Sequence, residues 1–526
     1  MSGIFAITSL EDCLLPGYYG TDYLSHLGTR YGGIAVVRDG TVTKSIRSIS
    51  SSQFKAALRA KLIELRSDSL IHTALGVISD GEPQPLTYFS IWGDVAIATA
   101  GKINNLEELA IELLKRGNPV QTQVSDDTIG TQGVDTPNQT DIVYQLICQK
   151  SAIEQGIEYM RSKIKGAITL VMIVNGSEGS SVWAAADEYG NSPLHLARNK
   201  QGRCIATSTT PFNNLGYNYF RILAPGEIIH FTATNLEENI GKLADPGKSE
   251  PCPFMDIYTD FPAAIGSFGF TAEEYRYRAG EILASRDRAN VDAVCGVPDS
   301  GIAYAYGYLN GKIHLLKRAF KEQRDHTLIL QEIPDIYRLV VKYTAGWGRS
   351  YQPPTQERRD LVGAMKIIPL PEYIKGRKVI LFEDSIVRGT QLRQLLEDKI
   401  LRYGPQEVHI RVGSPILIDD CPFNRSIKNR RELLAWRGIA QLEGIALEDD
   451  HLPDINLIYQ VPREVILEYA DPSSERYRKL VDWMRDDLGV TSLMFLHPEE
   501  LLSITGRESH QICRHCFGFE SQRHYM

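Results

Sequence analysis

The chain has 526 residues, a formal net charge of −8, and hydrophobic and charged fractions of 43% and 23%. This length is too great for one hydrophobic core, so we expect several domains. The negative charge argues against nonspecific nucleic-acid binding, because it would repel a phosphate backbone. No apolar run reaches about 18 residues, so we expect no membrane span. Without a secretory leader we expect a cytoplasmic protein, whose eight cysteines are thiols or metal ligands.

The first half of the chain alternates short apolar runs with amphipathic segments. These patterns predict helices at Leu106–Lys115 and Ile142–Lys150, and strands at Val77–Ser79, Val95–Ala98, Ile168–Val174 and Val182–Ala185. Residues 117–141 are polar with few large apolar side chains, which predicts an exposed insertion. Residues 237–251 are polar and contain Gly and Pro, so they are a candidate domain boundary.

From about residue 255 the pattern alternates helices with buried strands. The sequence predicts helices at Ala272–Ser285, up to Tyr308 and at Gln391–Arg402, and strands at Ala293–Val297, Val379–Phe382 and Val408–Val412. Strands separated by helices indicate a parallel sheet, whose ligands bind at the carboxyl ends of the strands. Further on, Leu493–Leu496 and a helix near Pro498 are expected in a C-terminal extension.

The most informative motif runs from Val379 to Thr390. Four apolar residues precede the acids Glu383 and Asp384, and then comes a loop with Ser385, Arg388, Gly389 and Thr390. The acids can bind ribose hydroxyls or Mg²⁺, and the loop can surround a phosphate. The alternative is an ordinary strand-to-helix turn with Asp and Ser as caps. The complete string favours the first interpretation, since it resembles the phosphoribosyl-pyrophosphate (PRPP) motif of type I phosphoribosyltransferases.

A second motif, Gly296–Ala303, places Asp299, Ser300 and Gly301 at another strand-to-helix turn. Such a turn can supply backbone donors to a diphosphate, and the Ser300 hydroxyl can reach Mg²⁺. Alone it is equally consistent with a helix cap. Together the two motifs predict that Ser300, Glu383 and Asp384 hold Mg²⁺.

The whole chain is similar to the glutamine PRPP amidotransferase family. The likeness is carried by the two motifs and by Ser2–Phe5, Tyr18–Gly20, His26, Gly28, Gly33–Ala35, Gly101, Asn105–Leu109, Asp187, Gly190, Pro193–Leu194, Pro225–Glu227, Pro251–Cys252 and His409–Pro415. The resemblance implies an α/β and α+β protein. Residues 1–240 would be an Ntn-hydrolase-like αββα glutaminase domain, and residues 255–465 a type I phosphoribosyltransferase with a doubly wound parallel sheet. Residues 466–526 would be the C-terminal extension.

Four positions depart from the glutaminase pattern of that family. The nucleophile position holds Ser2 instead of cysteine, and a hydroxyl is a much weaker acid than a thiol. Ala100-Gly101 stands for the Asn-Gly oxyanion pair, Ala74 for the carboxylate-binding arginine, and Leu27–Thr29 for the Arg-Gly-Gln turn. We therefore expect no intact catalytic residue in this domain, and an inactive glutaminase.

The transferase half is better preserved. The resemblance implies a mobile loop at Lys342–Pro354, with Lys342, Arg349 and the later Lys366 as PRPP-binding cations. Thr344-Ala345 replaces the Arg-Tyr of the family. Loop closure normally completes such a site, so the change leaves PRPP binding expected and turnover open.

Four cysteines, Cys252, Cys421, Cys513 and Cys516, stand where the iron–sulfur branch of the family has its cluster ligands. The resemblance implies a structural 4Fe–4S cluster. Zinc and four buried thiols are the alternatives.

Three functions remain open from the sequence. The first is Mg-PRPP-dependent phosphoribosyl transfer to ammonia in purine biosynthesis, giving 5-phosphoribosylamine and pyrophosphate. The second is an inactive regulatory protein that binds PRPP or purine nucleotides, and the third is transfer to another amine. The resemblance also implies a homo-oligomer and purine nucleotides as regulators. With an inactive glutaminase, the ammonia would be free or would come from a partner; we expect no nucleic-acid or membrane partner.

Overall fold

The structure is a computed structural model that describes residues 2–50, 53–66, 69–125, 134–237, 240, 249–322, 333–343, 366–423, 427, 429–447 and 452–521. The chain forms two compact units. The first runs to Cys252 and includes Pro422 and Phe423, and the second contains Pro253–Cys421 and the described residues from Ile427 to Ser521. Within the described ranges, no helix is both long and apolar enough to cross a membrane.

The first unit contains fifteen strands and five helices among the described residues. The strands are β1 (Ser2–Ser9), β2 (Tyr31–Arg38), β3 (Thr41–Ser48), β4 (Thr73–Ser79), β5 (Leu86–Ser90), β6 (Gly93–Ile103), β7 (Thr122–Ser125), β8 (Val134–Pro137), β9 (Gly166–Gly176), β10 (Gly179–Ala185), β11 (His195–Arg198), β12 (Gly202–Ala206), β13 (Asn218–Ile222), β14 (Ile228–Phe231) and β15 (Leu236–Glu237). The helices are α1 (Leu14–Asp22), α2 (Phe54–Leu65), α3 (Leu106–Lys115), α4 (Gln139–Ile147) and α5 (Ile153–Lys163).

Two antiparallel sheets form the centre of this unit. One has the order β13-β11-β12-β1-β4-β2-β3 and the other β15-β14-β10-β9-β6-β5. Small and branched side chains such as Ala6, Val77, Ala98 and Val171 fill the core between the sheets. Helices α3, α4 and α5 cover the outer face of the second sheet, and α1 and α2 pack on the first. The result is the αββα layering that the resemblance implies.

The second unit is built on a parallel sheet. Its strands are β16 (Ala293–Gly296), β17 (Asp335–Ile336), β18 (Val340–Lys342), β19 (Ile367–Pro369), β20 (Lys378–Glu383), β21 (Glu407–Val412) and β22 (Ser492–Phe495). Its helices are α6 (Ala272–Arg286), α7 (Gly301–Lys321), α8 (Thr390–Leu395), α9 (Leu434–Glu443), α10 (Ile455–Ile458), α11 (Arg463–Ala470), α12 (Glu475–Leu488) and α13 (Pro498–Thr505). The sheet order is β17-β16-β20-β21-β22 with every pair parallel, and β18 and β19 form a separate antiparallel pair.

Local sequence explains the elements that frame the site. Val379–Phe382 of β20 are fully buried, as expected for a central strand of a parallel sheet with both faces covered. Helix α6 begins after Thr271, whose hydroxyl accepts a hydrogen bond from the Glu274 N–H at 3.2 Å. The predicted mixed fold, antiparallel in the first unit and parallel in the second, is confirmed.

Four details differ from the sequence predictions. Helix α7, predicted to end at Tyr308, continues to Lys321. Residues 117–141 are not simply an exposed insertion, because Asn138, Thr140 and Asp141 at their end are buried. The helix expected at Gln391–Arg402 is α8 followed by a π-helical turn at Leu396–Ile400. The region expected as a C-terminal extension contributes β22 to the parallel sheet of the second unit.

Candidate functional site

The loop after β16 and the loop after β20 meet at the carboxyl edge of the parallel sheet. The Val297 N–H donates to the Phe382 carbonyl at 2.9 Å, and the Gly301 N–H donates to Val297 at 2.9 Å. A Cβ on Gly301 would overlap the Phe382 carbonyl oxygen, so this close approach requires glycine. The turn contains a cis peptide between Pro298 and Asp299, and α7 begins directly after Ser300.

The acid pair lies at the end of β20. Asp384 is only 6% exposed, and its carboxylate accepts hydrogen bonds from the hydroxyls of Ser300 and Ser385, the latter at 2.7 Å. Burial raises the pKa of Asp384, although these two hydroxyls oppose the shift. Burial and the charge of Asp384 raise the pKa of Glu383 well above its ordinary value. Two adjacent buried carboxyl groups with raised pKa values are ionised more easily when a cation binds between them, so the pair favours a bound cation.

The structure therefore brings Ser300, Glu383 and Asp384, the three predicted Mg²⁺ ligands, to one place. These residues offer two carboxylates and a hydroxyl, and hard oxygen ligands of this kind suit Mg²⁺. Among the described residues, however, no three His, Cys, Asp or Glu side chains form a metal-binding group. The Mg²⁺ assignment remains a prediction that the donor chemistry fits.

The predicted phosphate loop, Ser385–Thr390, is held by the first turn of α9 and the residues just before it. The Leu434 N–H donates to the Val387 carbonyl at 2.8 Å, and the Arg437 guanidinium donates to the Arg388 carbonyl at 2.7 Å. The Arg388 side chain forms an ion pair with Glu432 and is 62% exposed. Neither Glu432 nor Arg437 was identified from the sequence, because their contacts to the loop are tertiary.

Two of the three predicted diphosphate cations, Lys342 and Lys366, lie on and beside the β18–β19 pair. Lys342 forms an ion pair with Asp299, and Lys366 is its neighbour because the Tyr343 N–H donates to the Lys366 carbonyl at 2.7 Å. Arg349 and the changed Thr344-Ala345 lie outside the described residues. The structure thus connects Lys342 to the diphosphate turn and places Lys366 close to Lys342.

In the first unit, Ser2 begins β1 and pairs with Ser79 of β4. Their hydroxyl oxygens are 3.4 Å apart. The next residue, Asp80, accepts hydrogen bonds from the backbone and the hydroxyl of Thr29 at 2.6 and 2.7 Å. A Ser–Ser contact and an Asp–Thr pair surround the nucleophile position, and none of these residues carries a positive charge.

The assignment of Ala74 to the carboxylate-binding position is wrong on this geometry. Ala74 pairs with Ile7, at the opposite end of β1 from Ser2, and its side chain lies against Gly17. The residue of β4 that faces Ser2 is Ser79. A one-sequence alignment cannot fix strand register, whereas counting back from the end of β4 would have indicated Ser79.

Three of the four predicted cluster cysteines belong to the second unit. Cys513 and Cys516 are buried and flank a short turn, and the Cys516 carbonyl accepts hydrogen bonds from the N–H groups of Ile418 and Asp419 at 2.9 and 3.0 Å. Cys421 follows two residues later and Cys252 belongs to the first unit. These four cysteines form no disulfide, and thiols are the usual ligands of such a cluster. No three Cys, His, Asp or Glu side chains of the described residues form a metal-binding group, so the cluster remains a prediction.

Comparisons with known proteins agree with this geometry. No protein-family model matches the chain. The chain is 26% identical over 478 residues to the amidophosphoribosyltransferase of Methanocaldococcus jannaschii, covering 87% of this chain and 93% of the relative. It is 25% identical over 530 residues to chloroplastic amidophosphoribosyltransferase 2 of Arabidopsis thaliana, covering 96% and 78%.

A solved structure of the glutamine PRPP amidotransferase from B. subtilis, complexed with ADP and GMP, has the same fold. Its TM-score is 0.75 at 22% sequence identity, covering 100% of this chain and 98% of that one. The chain is therefore similar over most of its length to amidophosphoribosyltransferases, and it shares its fold with the B. subtilis glutamine PRPP amidotransferase.

Proposed function

We propose that this protein transfers the phosphoribosyl group of Mg-PRPP to ammonia in purine biosynthesis, giving 5-phosphoribosylamine and pyrophosphate. The observation that carries the proposal is the hydrogen bond from Ser300 to Asp384, which joins the two PRPP motifs at one sheet edge. The similarity to amidophosphoribosyltransferases over most of the chain supports the reaction class. In the reaction a C1–N bond forms as the bond from C1 to the pyrophosphate oxygen breaks.

Each motif has a separate role in this proposal. Ser300, Glu383 and Asp384 would hold Mg²⁺, which when bound neutralises and orients the diphosphate. Asp299 and Gly301 line the diphosphate turn, and the loop from Ser385 to Thr390 takes the 5′-phosphate. Lys342, Arg349 and Lys366 supply positive charge to the diphosphate. Because the reaction needs little covalent help, positioning and charge stabilisation account for most of the rate.

We further propose that the first unit does not hydrolyse glutamine. The nucleophile position is a serine whose hydroxyl lies against the Ser79 hydroxyl, and neither Ser79 nor Thr29 can bind a carboxylate by charge. Ala100 cannot polarise a carbonyl through its side chain, and one lost oxyanion donor typically costs about 2.7–4 kcal/mol. Free ammonia, or ammonia from a partner protein, would then be the nitrogen source.

The remaining proposals concern cofactors and regulation. Cys252, Cys421, Cys513 and Cys516 would hold a structural 4Fe–4S cluster, supported by the docking of the Cys513–Cys516 turn beside the Cys421 segment. Purine nucleotides are candidate regulators, since the B. subtilis structure contains ADP and GMP. We also propose a cytoplasmic homo-oligomer. Iron and acid-labile sulfide in anaerobically purified protein would support the cluster, whereas stoichiometric zinc would refute it.

The activity can be tested with purified protein and Mg-PRPP, supplied with either glutamine or ammonium. The proposal predicts pyrophosphate release with ammonium and none above background with glutamine. Tight PRPP binding without release in either case would instead indicate a regulatory protein. Release that requires a different amine would identify another acceptor, and glutamine turnover would contradict the proposed loss in the first unit.

A further inference from the structure

A second group of acids is buried in the second unit, on the turn that precedes α6. Asp256 is fully buried on the π-helical turn Met255–Thr259, and Asp260 follows at 6% exposure. Neither carboxylate oxygen of Asp256 has a hydrogen-bond partner among the described residues. Such a group is costly unless it is protonated or meets a cation.

The guanidinium of Arg276 lies against this turn and binds its backbone. Arg276 of α6 donates to the backbone carbonyls of Asp256 at 3.1 Å and Asp260 at 2.9 Å. Its hydrogen bonds go to the backbone, so they fix the shape of the turn and leave the Asp256 carboxylate without a hydrogen bond from Arg276. Burial, and then the charge of Asp260, raise the pKa of Asp256, with Arg276 opposing.

A second buried polar group, the hydroxyl of Tyr275, interacts electrostatically with Asp256. The Tyr275 hydroxyl is fully buried and has no hydrogen-bond partner among the described residues. The charge of Asp256 contributes to raising the pKa of Tyr275, so the two groups interact. A Cβ on Gly266 would overlap the Asp256 carboxylate, so the carboxylate packs against bare backbone on that side.

This cluster lies one tyrosine away from the acid pair of the PRPP site. The Tyr304 hydroxyl donates to the Ile257 carbonyl at 3.0 Å, within the Asp256 turn. The Tyr304 ring lies against Gly413, whose N–H donates to the Glu383 carbonyl at 2.8 Å. Tyr304 also belongs to α7, which begins at Ser300 of the diphosphate turn.

We propose that Asp256 and Tyr275 form a binding site for ammonium, the acceptor in its charged form. Carboxylate and hydroxyl oxygens are ligands for a small singly charged cation, and ammonium donates hydrogen bonds to them. An ammonium ion held there can transfer one proton to the Asp256 carboxylate, leaving the neutral acid and ammonia with the lone pair that attack on C1 requires. As an acceptor site this rests on the proposed function; as a cation site it does not.

The binding claim is tested without PRPP. The thermal unfolding midpoint of the full-length protein is measured in ammonium, potassium, sodium and tetramethylammonium chloride at equal ionic strength. Ammonium at ten times its Kd should raise the midpoint by about 3–5 °C over sodium, whether or not potassium shares the effect. An equal midpoint in ammonium, sodium and tetramethylammonium would overturn the site.

Variants locate the effect. Asp256→Asn and Tyr275→Phe should each abolish or strongly reduce the ammonium shift, and the Tyr275 variant keeps the test usable if the Asp256 variant does not fold. Asp335→Asn, the same change at an exposed residue of this unit, should retain the full shift. A shift that both cluster variants retain would overturn the assignment.

Steady-state kinetics separate this inference from the proposed function. Asp256→Asn should raise the KM for ammonium at least about tenfold and leave the KM for PRPP unchanged. Pyrophosphate release with an unchanged ammonium KM in the variant would overturn the acceptor site while the proposed function stands. If wild-type protein releases no pyrophosphate, the proposed function fails, and the unfolding measurements still decide the cation site.

Discussion

Ser300 donates a hydrogen bond to the carboxylate of Asp384, although the two residues are 84 positions apart in the chain. Ser300 ends the turn after β16, and Asp384 directly follows β20, the neighbouring parallel strand. The bond therefore connects the two sequence motifs that define the proposed PRPP site. It also places a hydroxyl beside two acids whose pKa values are raised by burial, which is an arrangement suited to a divalent cation.

Replacing Asp384 with Asn should weaken Mg-PRPP binding. The change removes a buried, hydrogen-bonded charge from the proposed Mg²⁺ site, and such an interaction contributes about 1.5–3 kcal/mol, or roughly 10- to 150-fold in Kd. Isothermal titration calorimetry with Mg-PRPP measures the effect. The matched change Asp335→Asn should leave the Kd unaltered, and equal affinities for Asp384→Asn and wild type would contradict the assignment.

Gly301→Ala should disrupt both the local packing and PRPP binding. The new Cβ would overlap the Phe382 carbonyl oxygen, so the turn after β16 must move away from β20. Overpacking of this kind costs about 1–3 kcal/mol of unfolding free energy. Urea denaturation measures the loss. Gly81→Ala is the control. A Cβ at this position would lie 4.0 Å from the Ser79 hydroxyl oxygen, which is an ordinary contact, so the unfolding free energy of the variant should stay within about 1 kcal/mol of wild type.

The buried ion pair between Arg411 and Asp287 should be essential to the second unit. Their side chains are 2.6 Å apart and each is 2% exposed. Burial alone would raise the pKa of Asp287, but Arg411 outweighs burial and lowers it. Arg411→Met leaves the Asp287 charge uncompensated and should cost about 3–5 kcal/mol of unfolding free energy in urea. A loss below about 1 kcal/mol would show that the pair is dispensable.

His195 should make the first unit less stable in acid. Burial lowers the pKa of His195 to about 3 from an ordinary 6.5, so the folded state keeps it neutral while the unfolded state protonates. Between pH 3 and pH 6.5 the unfolded chain therefore binds more protons than the folded chain. Stability should therefore fall with decreasing pH by up to about 1.4 kcal/mol per pH unit.

This pH dependence can be measured by urea denaturation at pH 6.5 and 5. The wild-type difference attributable to His195 should be about 1.6 kcal/mol, because the unfolded histidine is only half protonated at pH 6.5. It should disappear in His195→Gln and persist in His510→Gln, where the side chain is exposed. Equal pH dependence in wild type and His195→Gln would contradict the argument.

Local pattern was enough for the elements that carry the proposed PRPP site. The bounds of α3 follow from its amphipathic spacing, and the four apolar residues of β20 predicted a buried parallel strand with acids at its end. Long-range relationships could not be derived in this way. Thr140 seemed part of an exposed insertion, yet its N–H and hydroxyl bind the buried Glu82 from a distant segment.

Strand register and buried polar clusters were also out of reach of the sequence. The pairing of Ser2 with Ser79 depends on the alignment of β1 against β4, and an error in it moved the assignment to Ala74. Asp256 looked like an ordinary polar residue, because nothing in its neighbours along the chain shows that α6 and α7 enclose it.

Phosphoribosyl transfer to ammonia is tested most directly by measuring pyrophosphate release from Mg-PRPP by the full-length protein. The release is measured separately with ammonium and with glutamine under anaerobic conditions. The proposed function predicts release with ammonium, little or none with glutamine, and loss of the ammonium reaction in Asp384→Asn. An ammonium reaction that proceeds unchanged in Asp384→Asn, or no release by the wild-type protein with any amine, would contradict it.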